Sequence, residues 1–239
     1  MIAVYTVIRG GRCDLTSKSL KMLRTWAGCK FDHFVAANDV DPKTLAMLKD
    51  KEAKGYFKLI QYHSKNYGQN IAANWLLDEM GDEYDWVLRW DDDAIPRTRK
   101  FLKKLVAGAQ HSFELGFKAN FAPVITKLKN PPLSDHAPGD DLGFNYEPVG
   151  ILGGICRLHH GDIFKAFRGE GWRFNRFGAL GFGEANEMAD HIKDIGYLNI
   201  RNLDLKVEHA YGEDGQAARW PDLFSWEARE VGRTLGYGL

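Results

Sequence analysis

The sequence predicts an α/β fold in which a mainly parallel sheet carries helices on both faces. The chain has 239 residues, of which 44% are hydrophobic, so it can build one large core or two small ones. Apolar, β-branched runs alternate with segments of helical periodicity through the first half of the chain. Polar residues follow several of these runs, at the strand ends where parallel sheets carry their chemistry.

Strand and helix signals alternate along the first 110 residues. The first run, "IAVYTVI", is β-branched and mostly apolar, which is typical of a buried strand. The next segment places Leu20, Leu23 and Trp26 on one helical face, and Pro96 is a start signal for a later helix. The predicted strands are 2–8, 31–39, 56–63 and 85–90, and the predicted helices are 16–26, 42–54, 71–80 and 97–110.

The second half is less regular. Residues 128–148 contain four prolines and few apolar positions, which predicts a long loop. A helix is expected to begin near Glu184, and a last strand is expected to end at His209. The other predicted elements are strands at 117–125 and 149–158 and a short helix at 161–167.

The charge balance limits the classes of function. Lys+Arg and Asp+Glu both number 32, so the formal net charge is zero, which argues against a protein that holds nucleic acid by bulk charge. The three cysteines, Cys13, Cys29 and Cys156, have no metal-ligand spacing and are interpreted as reduced thiols. We recognise no signal peptide and no run long enough to span a membrane, so a cytoplasmic location is expected.

Three consecutive aspartates, Asp91, Asp92 and Asp93, directly follow the predicted strand at 85–90. Carboxylates repel one another, so the cluster lies either in a solvated turn that caps a helix or around a positive charge. One aspartate would be enough for a cap, whereas a divalent cation would relieve the repulsion and use the oxygens as ligands. The strand-end position therefore favours a metal site. The polar pair Asn38–Asp39 ends another predicted strand and should lie on the same edge of the sheet.

The segment "WVLRWDDDAIP" resembles the Asp-x-Asp (DXD) segment of family-2-type, GT-A-fold glycosyltransferases. In that family a hydrophobic strand is followed by Asp-x-Asp and often, a few residues later, by a proline. The resemblance implies a GT-A-like three-layer sandwich with a mostly parallel central sheet and a Rossmann-like N-terminal half. It also implies that Asp91 contacts the ribose or the metal shell and that Asp93 ligates Mn²⁺ or Mg²⁺. Asp92 is grouped with the donor-binding residues.

Two more segments of the first half match that family in order. "FDHFVAAND" resembles the second strand, whose terminal acid, here Asp39, contacts the nucleobase; its alternative role is that of a turn-forming residue. "NYGQNIAAN" resembles a loop-to-helix segment that lines the nucleotide pocket, which implies that Asn66 and Asn70 bind the donor; otherwise it is an asparagine-rich helix start. Arg9 is grouped with these donor-binding residues. The turn "VIRGGR" departs from the family's Pro-x-Tyr-Asn pattern, which makes this chain a distant relative.

Two matches in the second half concern the catalytic base and the metal. "GFGEANEMADHIKDIGY" resembles the helix that carries the base, but Ala185 occupies the position of the usual aspartate. Glu184, at the helix start, is the preferred base and Glu187 is the alternative, unless both are solvated surface residues. His209 either completes the metal site, as a late histidine does in many relatives, or is a hydrogen-bonded structural residue.

The resemblance implies a metal-dependent, inverting, hexosyltransferase-like enzyme that uses a nucleotide sugar, expected to be UDP-linked, and Mn²⁺ or Mg²⁺. Within one domain over 1–239, residues 1–110 would bind the nucleotide sugar and 111–239, with the loop at 128–148, would bind the acceptor. A saccharide, a lipid-linked glycan, a protein and a modified DNA base stay open as acceptors. One alternative function is a nucleotidyltransferase or other metal-dependent phosphate-transfer enzyme. Another, suggested by Ala185, is a non-catalytic nucleotide-sugar-binding protein.

Overall fold

The computed structural model describes residues 1–126, 145–150, 152, 154–169, 188 and 191–210, and these residues adopt the predicted α/β class. The strands are β1 (Ile2–Arg9), β2 (Asp32–Asn38), β3 (Leu59–His63), β4 (Trp86–Trp90), β5 (Ala94–Pro96), β6 (Ala119–Thr126), β7 (Tyr146–Pro148), β8 (Cys156–His160) and β9 (Leu198–His209). The helices are α1 (Cys13–Trp26), α2 (Pro42–Ala53), α3 (Gln69–Met80), α4 (Phe101–Glu114) and α5 (Gly161–Gly169). None of the helices within the described ranges is long and apolar enough to cross a membrane.

The strands form one sheet in the order β3-β2-β1-β4-β8-β6-β9-β5, and β7 pairs with β9. The four strands β3, β2, β1 and β4 are parallel. Beyond them, β8 is antiparallel to both β4 and β6, and β9 is parallel to β6 but antiparallel to β5 and β7. The carboxyl ends of β1 to β4 therefore open on one edge, and that edge positions the candidate site.

Alternate strand residues bury against helices on opposite faces, which makes three layers. Val4 of β1 belongs to the core under α1 and α4, together with Phe101. Its neighbour Tyr5 packs on the other face with Leu76 of α3 and Phe164 of α5. Burying each of these large side chains contributes about 1.5–3 kcal/mol to folding. The predicted inner face of α1 is confirmed for Leu20 and Leu23, which are fully buried, whereas Trp26 is half-buried.

The predicted helix at 97–110 begins and ends later than expected, at Phe101 and Glu114. The residues before it form the short strand β5, which the sequence analysis did not predict. Lys100 has a φ of +58°, a left-handed conformation that separates the strand from the helix. Pro96 therefore ends an edge strand, where a missing N–H is tolerated, and does not start a helix.

Two predictions for the second half are wrong in part. A strand was expected over 149–158, but β8 covers only Cys156–His160. A loop was expected over 128–148, but its end forms β7, where Glu147 lies opposite Arg201 of β9. The Arg201 Nη1 atom donates to Glu147 Oε1 at 2.5 Å. This contact with β9, 54 positions away, helps to hold β7 in a segment whose own sequence does not predict a strand. The rest of that loop and the helix start near Glu184 lie outside the described residues.

Candidate functional site

The candidate site lies where β1, β2 and β4 end, at one edge of the sheet. Arg9, the last residue of β1, is paired with Asn38, the last residue of β2, and β4 runs along the other side of β1. Three turns follow these strands at 10–12, 39–41 and 91–93. Since the strands are parallel, the three turns lie side by side, as the sequence predicts for the two acidic ones.

The three aspartates of the acidic turn (Asp91–Asp93) face different surroundings. The Ala94 amide donates to the Asp91 carbonyl at 3.1 Å, so the backbone turns tightly. The Asp91 carboxylate accepts hydrogen bonds at Oδ1 from Arg89 Nε at 3.2 Å and from Gln69 Nε2 at 3.4 Å. Asp91 is thereby held against β4 and the first residue of α3, whereas the other two aspartates contact residues around α1.

A buried arginine, Arg12, supplies the positive charge between Asp92 and Asp93. Its Nη2 atom donates to Asp92 Oδ1 at 2.7 Å, and its Nη1 atom donates to Asp93 Oδ2 at 2.5 Å. Thr16, in the first turns of α1, donates to the other oxygen of Asp92 at 3.2 Å. The side chains of Arg12, Asp92 and Asp93 are only 6%, 4% and 2% exposed, so both ion pairs are shielded from water.

The sequence analysis did not assign Arg12 to the site. Arg12 is 80 positions from Asp92 along the chain, and no local pattern connects them. The segment "RGGR" nevertheless indicated its position. This turn follows β1, which is parallel to β4, so Arg12 must lie on the same edge of the sheet as the acidic turn.

Burial, Arg12 and His209 shift the pKa values of Asp92 and Asp93 in opposite directions. Burial raises the pKa of Asp92, although the charge of Arg12 opposes this rise. Burial also disfavours the Asp93 carboxylate, but the hydrogen bond with His209 and the charge of Arg12 outweigh it and lower the pKa of Asp93. Burial would lower the pKa of His209, yet its hydrogen bond with Asp93 raises it. Asp93 is therefore an ionised acceptor, and His209 holds a proton towards it.

Asp93 and His209 are the two residues that fit a cation site. Asp93 Oδ2 and His209 Nε2 are 3.2 Å apart, and both side chains are buried. A carboxylate with an imidazole suits Mn²⁺, provided that Nε2 gives up the proton it holds towards Asp93. Asp91, which the sequence also assigns to the metal, has Arg89 and Gln69 as hydrogen-bond partners, and its assignment as a ligand stays a prediction. The described part of the chain contains no group of three His, Cys, Asp or Glu side chains that could hold a metal. Within those described residues, an ion would have Asp93 and His209 as its two protein ligands.

A surface cleft of about 430 Å³ lies between the ends of β1 and β2, on the same edge of the sheet. This volume lies within the range that accommodates small-molecule ligands. Its lining includes three of the predicted donor-binding residues, Arg9, Asp39 and Asn66, as well as Asn38. Asn70 is buried in the first turn of α3 and does not line this cleft, and neither do Asp91 and Asp92.

The cleft is shaped by a hydrogen-bonded pair of asparagines. Asn38 Nδ2 donates to Asn66 Oδ1 at 2.8 Å, while the Asn38 oxygen accepts from the Tyr67 amide at 3.0 Å. Asn66 also accepts from the Gly68 amide at 2.9 Å. These contacts fix the loop before α3 against the end of β2. Asp39, next in the chain, is exposed and adopts a left-handed φ of +58°, which suits its predicted turn role and leaves its side chain at the cleft.

The two glycines of "RGGR" serve a close approach between turns. A Cβ atom on Gly10 would lie 2.7 Å from the Asp41 amide nitrogen and 3.1 Å from the Asp39 carbonyl oxygen. The Gly11 amide donates to Asp41 Oδ2 at 2.5 Å. Asp41 also caps α2, because its Oδ1 accepts from the Thr44 amide at 3.0 Å. One carboxylate thus joins the β1 turn to the start of α2.

The predicted catalytic base lies outside the described residues. This applies to Glu184, to the alternative Glu187 and to Ala185, the residue at the usual base position. Their assignment stays a prediction from the sequence.

Comparison with solved structures identifies the fold. A mannosyltransferase from Pyrobaculum calidifontis, in complex with GDP-Man and Mn²⁺, is similar over 100% of this chain and 64% of its own, with 13% identity and a TM-score of 0.67. GalNAc-T7, with UDP, GalNAc and Mn²⁺, is similar over 90% of this chain and 44% of its own, with 11% identity and a TM-score of 0.67. TarS from S. aureus, in complex with UDP, is similar over 87% of this chain and 60% of its own, with 13% identity and a TM-score of 0.61.

These similarities show that the chain has a GT-A-type fold, as the sequence resemblance implied. The chain spans less than two thirds of the length of each of these structures. No protein-family model and no curated protein sequence matches it.

Proposed function

We propose that this chain is a glycosyltransferase that takes a sugar from a nucleotide donor, a UDP-sugar, and transfers it to an acceptor hydroxyl with inversion of the anomeric carbon. The observation that carries this proposal is the arrangement at the sheet edge. Asp93, bonded to His209, follows β4, and the cleft lined by Arg9 and Asp39 lies at the ends of the next two strands, β1 and β2. The fold is shared with glycosyltransferases that bind nucleotides.

The cleft would hold the nucleoside, and the acidic turn would hold the diphosphate end of the donor. Asp39 is exposed at the cleft, where its carboxylate can accept hydrogen bonds from a base or a ribose. Arg9, on the opposite wall, has its pKa lowered by burial and by the neighbouring charge of Arg12. It stays a cation at neutral pH and can attract phosphate oxygens.

Asp93 and His209 would be the residues that hold Mn²⁺ or Mg²⁺. Such an ion neutralises the charge that develops on the leaving diphosphate. Asp91 would act differently, because Arg89 and Gln69 fix its carboxylate on the α3 side of the turn. There it can accept a hydrogen bond from the donor without being a metal ligand.

The transfer itself is a single in-line displacement. The acceptor oxygen forms a bond to the anomeric carbon while the bond from that carbon to the diphosphate oxygen breaks, which releases the nucleoside diphosphate. Attack from the opposite face inverts the anomeric configuration. The proton of the acceptor hydroxyl passes to a carboxylate, for which the sequence offers Glu184 or Glu187.

The structure gives a reason to prefer this function over nucleotidyl transfer. A nucleotidyltransferase would use the backbone of a glycine-rich first loop to cradle phosphates. Here the Gly11 amide donates to Asp41, and Gly10 is required by the close approach of the next turn. The glycines of "RGGR" are thus explained by packing.

The test is a donor screen with the purified chain. Binding of UDP-Glc, UDP-GlcNAc, UDP-GalNAc and GDP-mannose is measured by calorimetry with Mn²⁺, and donor turnover is measured as release of nucleoside diphosphate. We expect at least one UDP-sugar to bind and to be hydrolysed slowly without an acceptor. Asp93→Asn should abolish the Mn²⁺-dependent part of both signals. A folded protein that binds none of these donors, or an Asp93→Asn variant with wild-type values, would contradict the proposal.

A further inference from the structure

The Arg12 guanidinium already contacts the Asp93 oxygen that faces His209. Asp93 Oδ2 accepts from Arg12 Nη1 at 2.5 Å, and the same oxygen lies 3.2 Å from His209 Nε2. Asp93 Oδ2 is thus the atom that both the arginine and a metal at the Asp93–His209 pair would use. All three side chains are 6% exposed or less, so no layer of water separates them.

A divalent ion and Arg12 cannot share this oxygen in its present arrangement. A metal bound at Asp93 Oδ2 would lie next to a guanidinium of the same sign of charge, in a buried place where repulsion is poorly screened. Arg12 would therefore have to leave Asp93, whereas its ion pair with Asp92 could stay. Separating a buried arginine from one of its two carboxylates is costly unless another anion replaces the lost partner.

The surroundings of Arg12 allow a phosphate to take that place. Arg12 lines a second cleft of about 260 Å³, and this cleft shares Gly11 and Asp41 with the donor cleft. A diphosphate that extends from the donor cleft towards the acidic turn would pass Arg12. Its planar guanidinium can bind two phosphate oxygens as it now binds two carboxylates.

We propose that Arg12 competes with free divalent ions for Asp93, so that the metal binds only together with a nucleoside diphosphate. The diphosphate then replaces Asp93 as an ion-pair partner of Arg12. This inference rests on the proposed function for the identity of the diphosphate. It makes Arg12 a positioning residue that couples metal binding to donor binding. The Asp93 carboxylate then always has a positive partner, because the Arg12 guanidinium leaves it only when a metal ion binds there.

The experiment titrates Mn²⁺ alone, UDP alone with EDTA, and Mn²⁺ with saturating UDP or GDP. Electron paramagnetic resonance follows free Mn²⁺, and calorimetry follows the nucleotide. For the wild-type chain we expect weak binding of free Mn²⁺, weak binding of UDP with EDTA, and binding of each that is at least about tenfold tighter in the presence of the other. Arg12→Gln should bind free Mn²⁺ about tenfold tighter than the wild type, because the competing charge is removed. The mutual tightening between Mn²⁺ and UDP should shrink.

Two variants control for charge and folding. Arg97→Gln removes an arginine paired with Glu208, near the acidic turn but without contact to Asp93, and should leave both titrations unchanged. Arg12→Lys keeps the buried charge but can no longer bridge two carboxylates with one planar group, so free Mn²⁺ should bind with an affinity between those of the wild type and Arg12→Gln. Thermal unfolding shows which variants fold, and Arg12→Lys decides the matter if Arg12→Gln does not fold.

Several outcomes would overturn the proposal. Arg12→Gln or a folded Arg12→Lys that binds free Mn²⁺ no tighter than the wild type would show that Arg12 does not compete with the metal. UDP that binds equally well with EDTA, but only when Arg12 is present, would show that the arginine replaces the metal. If no nucleotide binds the wild type, the proposed function fails, while the effect of Arg12 variants on free Mn²⁺ still tests the competition.

Discussion

Asp93 and His209 lie 3.2 Å apart, between Oδ2 and Nε2, although 116 positions separate them in the sequence. The backbone holds them in this relationship. Ala94, at the start of β5, is paired with His209 at the end of β9. The Ala210 amide also donates to the Asp93 carbonyl at 3.0 Å. The short β5 strand therefore holds the histidine against the acidic turn.

His209→Gln should weaken Mn²⁺ binding in the presence of UDP by about tenfold, because the amide nitrogen cannot replace an imidazole ligand, while Asp93 and the diphosphate still hold the ion. Titration of Mn²⁺ at saturating UDP measures the effect. His159→Gln is a matched control, since His159 is also buried. Its hydrogen-bond partner is Asn120, at 2.9 Å, and not a residue of the acidic turn. An unchanged titration in His209→Gln would assign His209 a structural role.

Glu184→Gln should retain nucleotide and metal binding but lose most transfer, because the nearly isosteric amide cannot accept the acceptor's proton. Removal of a general base commonly lowers the rate about a hundredfold to ten-thousandfold. Initial rates of transfer to an identified acceptor measure this, with Glu187→Gln as the companion variant three residues further along. A loss confined to Glu187→Gln would move the assignment, and full rates in both would require another route for the proton.

Gly10→Ala should move the two turns that form the donor cleft apart, because its Cβ atom would lie 2.7 Å from the Asp41 amide nitrogen. We expect a loss of about 1–3 kcal/mol in the free energy of unfolding and a clear loss of UDP affinity. Urea denaturation and calorimetry measure the two effects. Gly150→Ala, where an added Cβ atom meets nothing within 4 Å, should be neutral in both. Wild-type UDP affinity in Gly10→Ala would show that the turns do not shape the binding site.

His33 should make the protein less stable in mild acid. Burial, with a smaller effect of Arg24, lowers the pKa of His33 to about 3 in the folded chain, against 6.5 for an ordinary histidine. Between these values the unfolded chain binds the proton and the folded chain does not, so stability is lost as the pH falls from 6.5 towards 3. From pH 7 to pH 4.5, the free energy of unfolding should fall by roughly 2 kcal/mol more in the wild type than in His33→Gln.

Urea denaturation at pH 7, 5.5 and 4.5 measures this difference. Thr6→Val removes the 3.0 Å hydrogen bond to His33 Nε2 but leaves the imidazole buried. Because burial is the main cause of the lowered pKa, this control variant should keep the pH dependence of the wild type. If His33→Gln and the wild type lose stability in parallel, His33 is not the source of the acid sensitivity.

The sequence predicts features that depend on local periodicity. β1, β2 and β4, the position of the acidic turn and the shared edge with Asp39 all follow from hydrophobic runs and the rule for parallel strands. Features that depend on distant partners were missed. β5 and β7 have three residues each and exist because β9 pairs with them. The role of Arg12 depends on a contact with a turn 80 positions away.

The directions of the three aspartates could not be read from the sequence either. A run of three carboxylates predicts that the side chains converge on one metal ion. The tight turn closed by Ala94 instead directs Asp91 towards Arg89, and Asp92 and Asp93 towards Arg12. Whether adjacent side chains converge or diverge depends on backbone dihedral angles, which residue types alone do not specify.

The position of β9 near the end of the described chain also sets an order for assembly during translation. The parallel strands β1 to β4, Arg12 and the acidic turn all emerge from the ribosome long before His209, which follows Asp93 by 116 positions. Folding can begin in the N-terminal part of a protein while the rest is still being made. A nascent chain can thus pair Asp92 and Asp93 with Arg12 before the histidine has been synthesised. The arginine lets the acidic turn bury itself in a half-made protein, at a stage when an uncompensated pair of carboxylates would keep that part of the core open.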